Sequence, residues 1–136
     1  MAKIVLGKRP ESFKKTIKFM MVDESGEVSE GQMEVQYKYR TLTEFGTFLD
    51  EWTLDQKYKL DAEREAIEAA KKKALDAGEA WAEPELTNED VRRKQADANT
   101  DYLMQILVGW NLDVGFSRDT VLQFCNEFSG GAIAAR

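Results

Sequence analysis

A chain of 136 residues with 43% apolar and 10% aromatic content suffices for one hydrophobic core and is too apolar for a disordered polymer. Its net charge of −6 disfavours a sequence-independent grip on nucleic acid, which needs phosphate-neutralising Lys and Arg. The lack of histidine excludes His-based triads and His-ligated metals, and the single Cys125 excludes an intrachain disulfide, pointing to a reducing compartment.

Residues 1–12 read as an extended lead-in: Pro10 and the charges Lys8, Arg9 and Glu11 disfavour regular structure, and early charge interrupts any signal-peptide pattern. A β-hairpin is predicted over 13–40. Phe13, Ile17, Phe19 and Met21 share one face, with Lys15 as a polar intruder. Lys14, Thr16 and Lys18 share the other. On the return strand Met33, Val35, Tyr37 and Tyr39 alternate with Gln32, Glu34, Gln36 and Lys38. Asp23, Glu24, Ser25 and Gly26 supply turn chemistry, and Gly31 marks a second break. A lone hairpin is marginal in water, so helices must cover its apolar face.

Helices are predicted over 41–108, with a break near 78–87. Thr41 and Glu44 have capping-box spacing. Phe45, Phe48, Leu49 and Trp52 then form an apolar stripe expected to cover the hairpin. Thr53 to Gln56 repeats the capping pattern and suggests a bend. Residues 57–79 are rich in Ala, Glu and Lys, with a thin stripe of Leu60, Ile67 and Ala74. That stripe reads either as one edge of a solvated helix or as a partner-binding or self-association surface. Trp81 lies in an acidic loop, either folded back on the domain or exposed as a contact anchor. Thr87 and Asp90 start a further helix ending near Val108, strong in apolar residues at Tyr102, Leu103, Ile106 and Leu107.

Residues 109–136 are expected to form a turn and a C-terminal helix. In Gly109-Trp110-Asn111-Leu112-Asp113, Trp110 reads first as a post closing the core, with Trp110 and Leu112 as a docking surface the alternative. Ser117 is a predicted N-cap for a helix carrying Val121, Phe124, Cys125 and Phe128 on one face. Ser129, Gly130 and Gly131 are expected to end it, leaving a frayed tail. Cys125 is expected in the core, since no imidazole is present to activate it.

The predicted fold is therefore α+β, one domain over 1–136: an antiparallel hairpin packed on three to four helices. The expected core includes Phe19, Val35, Tyr37, Phe45, Phe48, Trp52, Ile106, Phe124 and Cys125. Candidate partner-binding residues are Leu60, Ile67, Trp81, Trp110 and Leu112. Paired acids such as Glu63 with Glu65 or Glu83 with Glu85 lack apolar surroundings to shift a pKa, so no catalytic, metal or cofactor site is assigned. No run approaches the ~18 apolar residues of a membrane span, and a cytoplasmic protein without membrane or nucleic-acid contact is expected.

Two segments resemble the phage tail assembly chaperone family. One runs from Val35 through Tyr37, Tyr39, Arg40, Thr41, Phe45 and Phe48 to Asp50. The other is Ile106-Leu107-Val108-Gly109-Trp110-Asn111-Leu112-Asp113 followed by Phe116 and Ser117. Residues 57–100 are long for the family, and Ser129-Gly130-Gly131-Ala132 stands where the family often carries Pro-Gly-Ala and a further helix. The resemblance implies a non-enzymatic protein that binds and solubilises the tape measure protein and helps recruit tail tube subunits, absent from the mature virion. A small structural tail subunit, connector or terminator, is the alternative. A homo-oligomer is also compatible.

Overall fold

The period-two segments form strands β1 (Ser12–Val22) and β2 (Val28–Lys38), paired antiparallel with Ile17 opposite Met33 and Val22 opposite Val28. The computed structural model describes residues 3–136, so Met1 and Ala2 of the predicted lead-in lie outside the described residues. The connecting turn is held by one carboxylate. Asp23 Oδ1 accepts from the backbone N–H of Ser25 (2.9 Å) and Glu27 (3.0 Å) and from Ser25 Oγ (2.6 Å). Gly26 takes the left-handed φ of 84° that this turn requires.

Two compact units are distinguished. Residues up to Tyr39 form one with Thr87–Arg136, and Arg40–Leu86 form the other.

In the first unit, α2 (Asn88–Ile106) leads directly into a third strand, β3 (Leu107–Trp110). The sheet order is β1-β2-β3. Val35 lies opposite Trp110 and Tyr37 opposite Leu107, with a bulge between Gln36 and Tyr37. The sequence predicts a helix to Val108 and a turn from Gly109. The backbone instead extends because β2 offers a free edge. Asn111 prolongs the pairing: its N–H donates to the Glu34 carbonyl at 3.0 Å, and its Oδ1 accepts from the Glu34 N–H at 2.9 Å.

The apolar face of this sheet is covered by α3 (Arg118–Glu127) and α4 (Ser129–Ala135). The Phe19 ring meets that of Phe124 edge-on at 5.9 Å. Ile17, Met33, Val35, Leu103, Val121 and Cys125 are buried here, Leu103 and Val121 completely. The stripe of Phe45, Phe48, Leu49 and Trp52, expected to cover the hairpin, belongs to the other unit. The expected frayed tail is a helix. Ala132 and Ala135 are fully buried, and the Tyr37 hydroxyl donates to the Ala135 carbonyl at 2.7 Å. Arg136 donates to Asn99 Oδ1 at 2.8 Å and lies over the Tyr102 ring at 4.1 Å.

Gly131 explains the close approach. A Cβ there would stand 2.6 Å from Phe124 Cζ and 3.2 Å from Phe19 Cε1, whereas one at Gly130 would meet open space. Gly131→Ala should therefore destabilise by about 1–3 kcal/mol through overpacking. Gly130→Ala should be neutral or stabilising by up to ~1 kcal/mol through helix propensity. Thermal melts check this: Gly131→Ala should lower the midpoint, and Gly130→Ala should leave it unchanged or raise it.

The second unit is dominated by α1 (Leu42–Asp76), one continuous helix of 35 residues and about 52 Å. The Thr41–Glu44 capping box is present, with Glu44 N–H donating to Thr41 Oγ1 at 3.3 Å and Thr41 N–H to Glu44 Oε1 at 3.0 Å. The bend suggested at Thr53 does not form. Neither Pro nor Gly lies between Thr53 and Ala77, and good helix formers follow, so intrahelical bonding prevails over the local capping signal. The helix stops at Gly78 in a Schellman arrangement: Gly78 N–H donates to the Leu75 carbonyl (3.1 Å) and Glu79 N–H to that of Ala74 (2.9 Å), with Gly78 at φ 72°.

Candidate functional site

The Gly109–Asp113 segment is built as an anchor. Trp110 is half-buried at the end of β3, edge-on to Phe116 (5.3 Å) and Phe124 (5.8 Å). Its indole N–H donates to the Val114 carbonyl at 2.9 Å. The ring thus ties together the sheet, the loop and α3. Ser117 and Thr120 complete a reciprocal cap at the start of α3. Leu112, 36% exposed, and Val114, 52% exposed, are the apolar groups this loop offers to solvent.

The other candidate residues belong to the second unit. Leu60 and Ile67 are 54% and 41% exposed on α1, and Leu42 and Leu49 on the same face are 91% and 39% exposed. Trp81 is half-buried beyond the end of α1. Its indole N–H and Gln56 Nε2 are buried donors without an acceptor among the described residues. Phe48 is buried, with the Arg40 guanidinium 4.5 Å from its ring centre and Phe45 tilted against it at 5.9 Å. Phe45 itself is 40% exposed and Trp52 half-buried, so both lie at the margin of the cluster rather than in its centre. In the first unit Val35, Ile106, Phe124 and Cys125 are buried, while Phe19 and Tyr37 are half-buried. The five partner-binding candidates are therefore split, Leu60, Ile67 and Trp81 in one unit and Trp110 and Leu112 in the other.

A groove of about 620 Å³ between α2 and α3 was not anticipated. Its floor includes Ala96 and Leu122, and Arg92, Arg93, Glu89 and Asp119 form a rim of mixed charge. Neither floor residue stands out in sequence, because one comes from each helix and only packing brings them together.

The titratable groups whose pKa values are shifted owe the shift to burial or to local hydrogen bonds. Burial pushes the Cys125 thiol up, partly offset by the Thr100 side chain, so the thiolate is disfavoured. The Asp23 carboxyl is held below its usual value by the Ser25 side chain and the turn N–H groups. That of Asp90 is held low by hydrogen bonds from Thr87 at the start of α2. Among the described residues no group of three or more His, Cys, Asp or Glu is placed to hold a metal ion, and no helix is long and apolar enough to cross a membrane. The described surface includes exposed apolar side chains along α1, Leu42, Leu49, Leu60 and Ile67 among them.

A family model described as phage tail assembly chaperone matches residues 1–135. No curated protein and no solved structure matches the chain.

Proposed function

This chain belongs to the phage tail assembly chaperone family, and on that premise we propose that it binds the tape measure protein during tail assembly and shields its apolar helical stripes. The family match across residues 1–135 carries this reading. The exposed face of α1 supports it: Leu42, Leu49, Leu60 and Ile67 repeat at helical spacing along a charged helix. Such a face docks an amphipathic partner through apolar contact, while the surrounding charge keeps the complex in solution. Trp81, in the same unit, is the aromatic contact at the end of that face, and Trp110 with Leu112 is a secondary one. The bound chaperone helps recruit tail tube subunits, acts without catalysis in the host cytoplasm, and leaves before the virion is complete.

Co-expression with the tape measure protein of the same gene cluster tests this. A soluble complex that co-purifies is expected, together with the absence of this chain from purified particles by mass spectrometry. A tape measure protein that stays insoluble with the chaperone present overturns the reading.

A further inference from the structure

Strand β1 is an outer edge of the sheet, with β2 on one side only. Asp23 N–H donates to the Glu27 carbonyl at 2.9 Å and Tyr39 N–H to that of Glu11 at 3.0 Å, and the register between these two bonds has no shift. Bonded pairs alternate with non-bonded pairs along an antiparallel ladder, so the odd-numbered residues of β1 bond to β2. The N–H and C=O groups of Ser12, Lys14, Thr16, Lys18, Met20 and Val22 therefore point away from the sheet. Among the described residues no backbone group bonds to them. All of these residues but Ser12 are exposed.

Proteins blunt such an edge with proline, a bulge, a short strand or charge. β1 has 11 residues without proline or glycine, and the bulge lies in the β2-β3 pair. Charge is what remains, and it selects. Lys14, Lys15 and Lys18 lie on β1 with no acid among them. Lys3, Lys8 and Arg9 precede them, and Glu11 is the one acid over 3–22, in a chain whose net charge is −6. Asp23, Glu24 and Glu27 lie in the turn beyond the strand's end. A second β1 would bring three lysines from each side onto one seam, which is unfavourable. β2 shows what the strand accepts. Glu34 and Glu30, four residues apart, reach diagonally to Lys14 at 3.8 Å and to Lys18 at 3.9 Å. They approach from the β2 side, and each ammonium has further donors for a carboxylate on the other.

We propose that the outer edge of β1 is a docking site for an extended acidic segment of a partner protein. The segment adds as a fourth strand, with carboxylates four residues apart opposite Lys14 and Lys18. Backbone bonds supply the attachment and charge supplies the selectivity, the strand-addition mode of recognition. The contact lies in the sheet-bearing unit and is independent of helix docking on α1.

The probe is a labelled peptide that alternates valine with glutamate and threonine, its two glutamates four residues apart. Fluorescence anisotropy with the full chain should show saturable binding. Two control peptides should bind at least about tenfold more weakly. One carries lysine for glutamate and reverses the charge. The other is N-methylated at the glutamates and threonines and lacks the donors that would face β1. No binding of the glutamate peptide, or equal binding of either control, overturns the proposal. These arms use the unaltered chain, so they stand whether or not a variant folds. Thr16→Pro removes an N–H that the sheet does not use and should abolish binding. Lys14→Glu/Lys18→Glu should shift preference to the lysine peptide, and a folded variant that keeps its preference for glutamate refutes the charge match. Hydrogen exchange reads the edge itself. In the free chain the amides of Lys14, Thr16 and Lys18 should exchange fast and those of Lys15, Ile17 and Phe19 slowly, and the peptide should slow the first set. Slow exchange of the first set without peptide would mean an edge already covered, and would also overturn the proposal.

Discussion

Leu103→Ala is expected to lower stability by about 3 kcal/mol, within the ~2–5 kcal/mol range of large-to-small core substitutions. Leu103 is fully buried near the end of α2, one turn before the chain passes into β3. Its carbonyl accepts the Leu107 N–H where the helix stops. The side chain therefore fills the corner where helix, sheet and covering helices meet, and the surrounding elements are joined too tightly to collapse onto the space left. At roughly 4 °C per kcal/mol for a domain of this size, the melting temperature should fall by on the order of 10 °C. Leu112→Ala removes the same atoms from a side chain 36% exposed on the loop and should stay near ~0.5 kcal/mol, as surface changes do. Urea unfolding of both variants checks the contrast, read as a shift of midpoint at constant slope. Equal effects at the two positions would mean that Leu103 does not occupy the centre of the core.

The same corner shows which parts of the fold can be read from residues alone. The alternation of Met33, Val35, Tyr37 and Tyr39 with polar neighbours is local, and it predicted β2. The capping boxes at Thr41 and Thr87 and the cap at Ser117 are also local, and all three start helices. β3 is different. Leu107-Val108-Gly109-Trp110 has no alternation, and it continues an apolar helical stripe that includes Leu103 and Ile106. It becomes a strand because β2 has an unpaired edge within reach, a partner some seventy residues earlier. The last helix was hidden for a related reason. Ser129-Gly130-Gly131 has the composition of a helix stop, yet Gly131 is where α4 must pass against the Phe124 and Phe19 rings. Long-range packing decided both cases.

The candidate contacts divide in the same way. Trp110 reads as a post because tryptophan buries well, and its indole bond to Val114 and its two ring contacts hold it as one. The α1 stripe was visible as spacing, but spacing alone does not separate a face awaiting a partner from one already covered. The structure leaves Leu60 and Ile67 exposed, and the second capping signal at Thr53 had obscured that one helix carries the whole stripe.

The double variant Leu60→Glu/Ile67→Glu is expected to abolish recovery of the tape measure protein while leaving the chaperone folded. Both side chains are substantially exposed, so little core is lost. Glutamate is a good helix former. The new carboxylates would stand four residues before Arg64 and Lys71, the favourable order for helical ion pairs, each adding ~0.3 kcal/mol. The free helix should therefore be as stable as before. In the complex the outcome reverses, because each substitution puts a charge where an apolar partner surface must dock. Burying an unpaired charge at an interface costs several kcal/mol, at ~1.4 kcal/mol per tenfold in affinity, so binding should fall by at least about a hundredfold. Tyr58→Glu serves as the control. Tyr58 is 61% exposed on the opposite face of the same helix, and its substitution should leave binding intact. Undiminished recovery with the double variant would remove α1 as the contact face and leave the loop bearing Leu112 as the next surface to test.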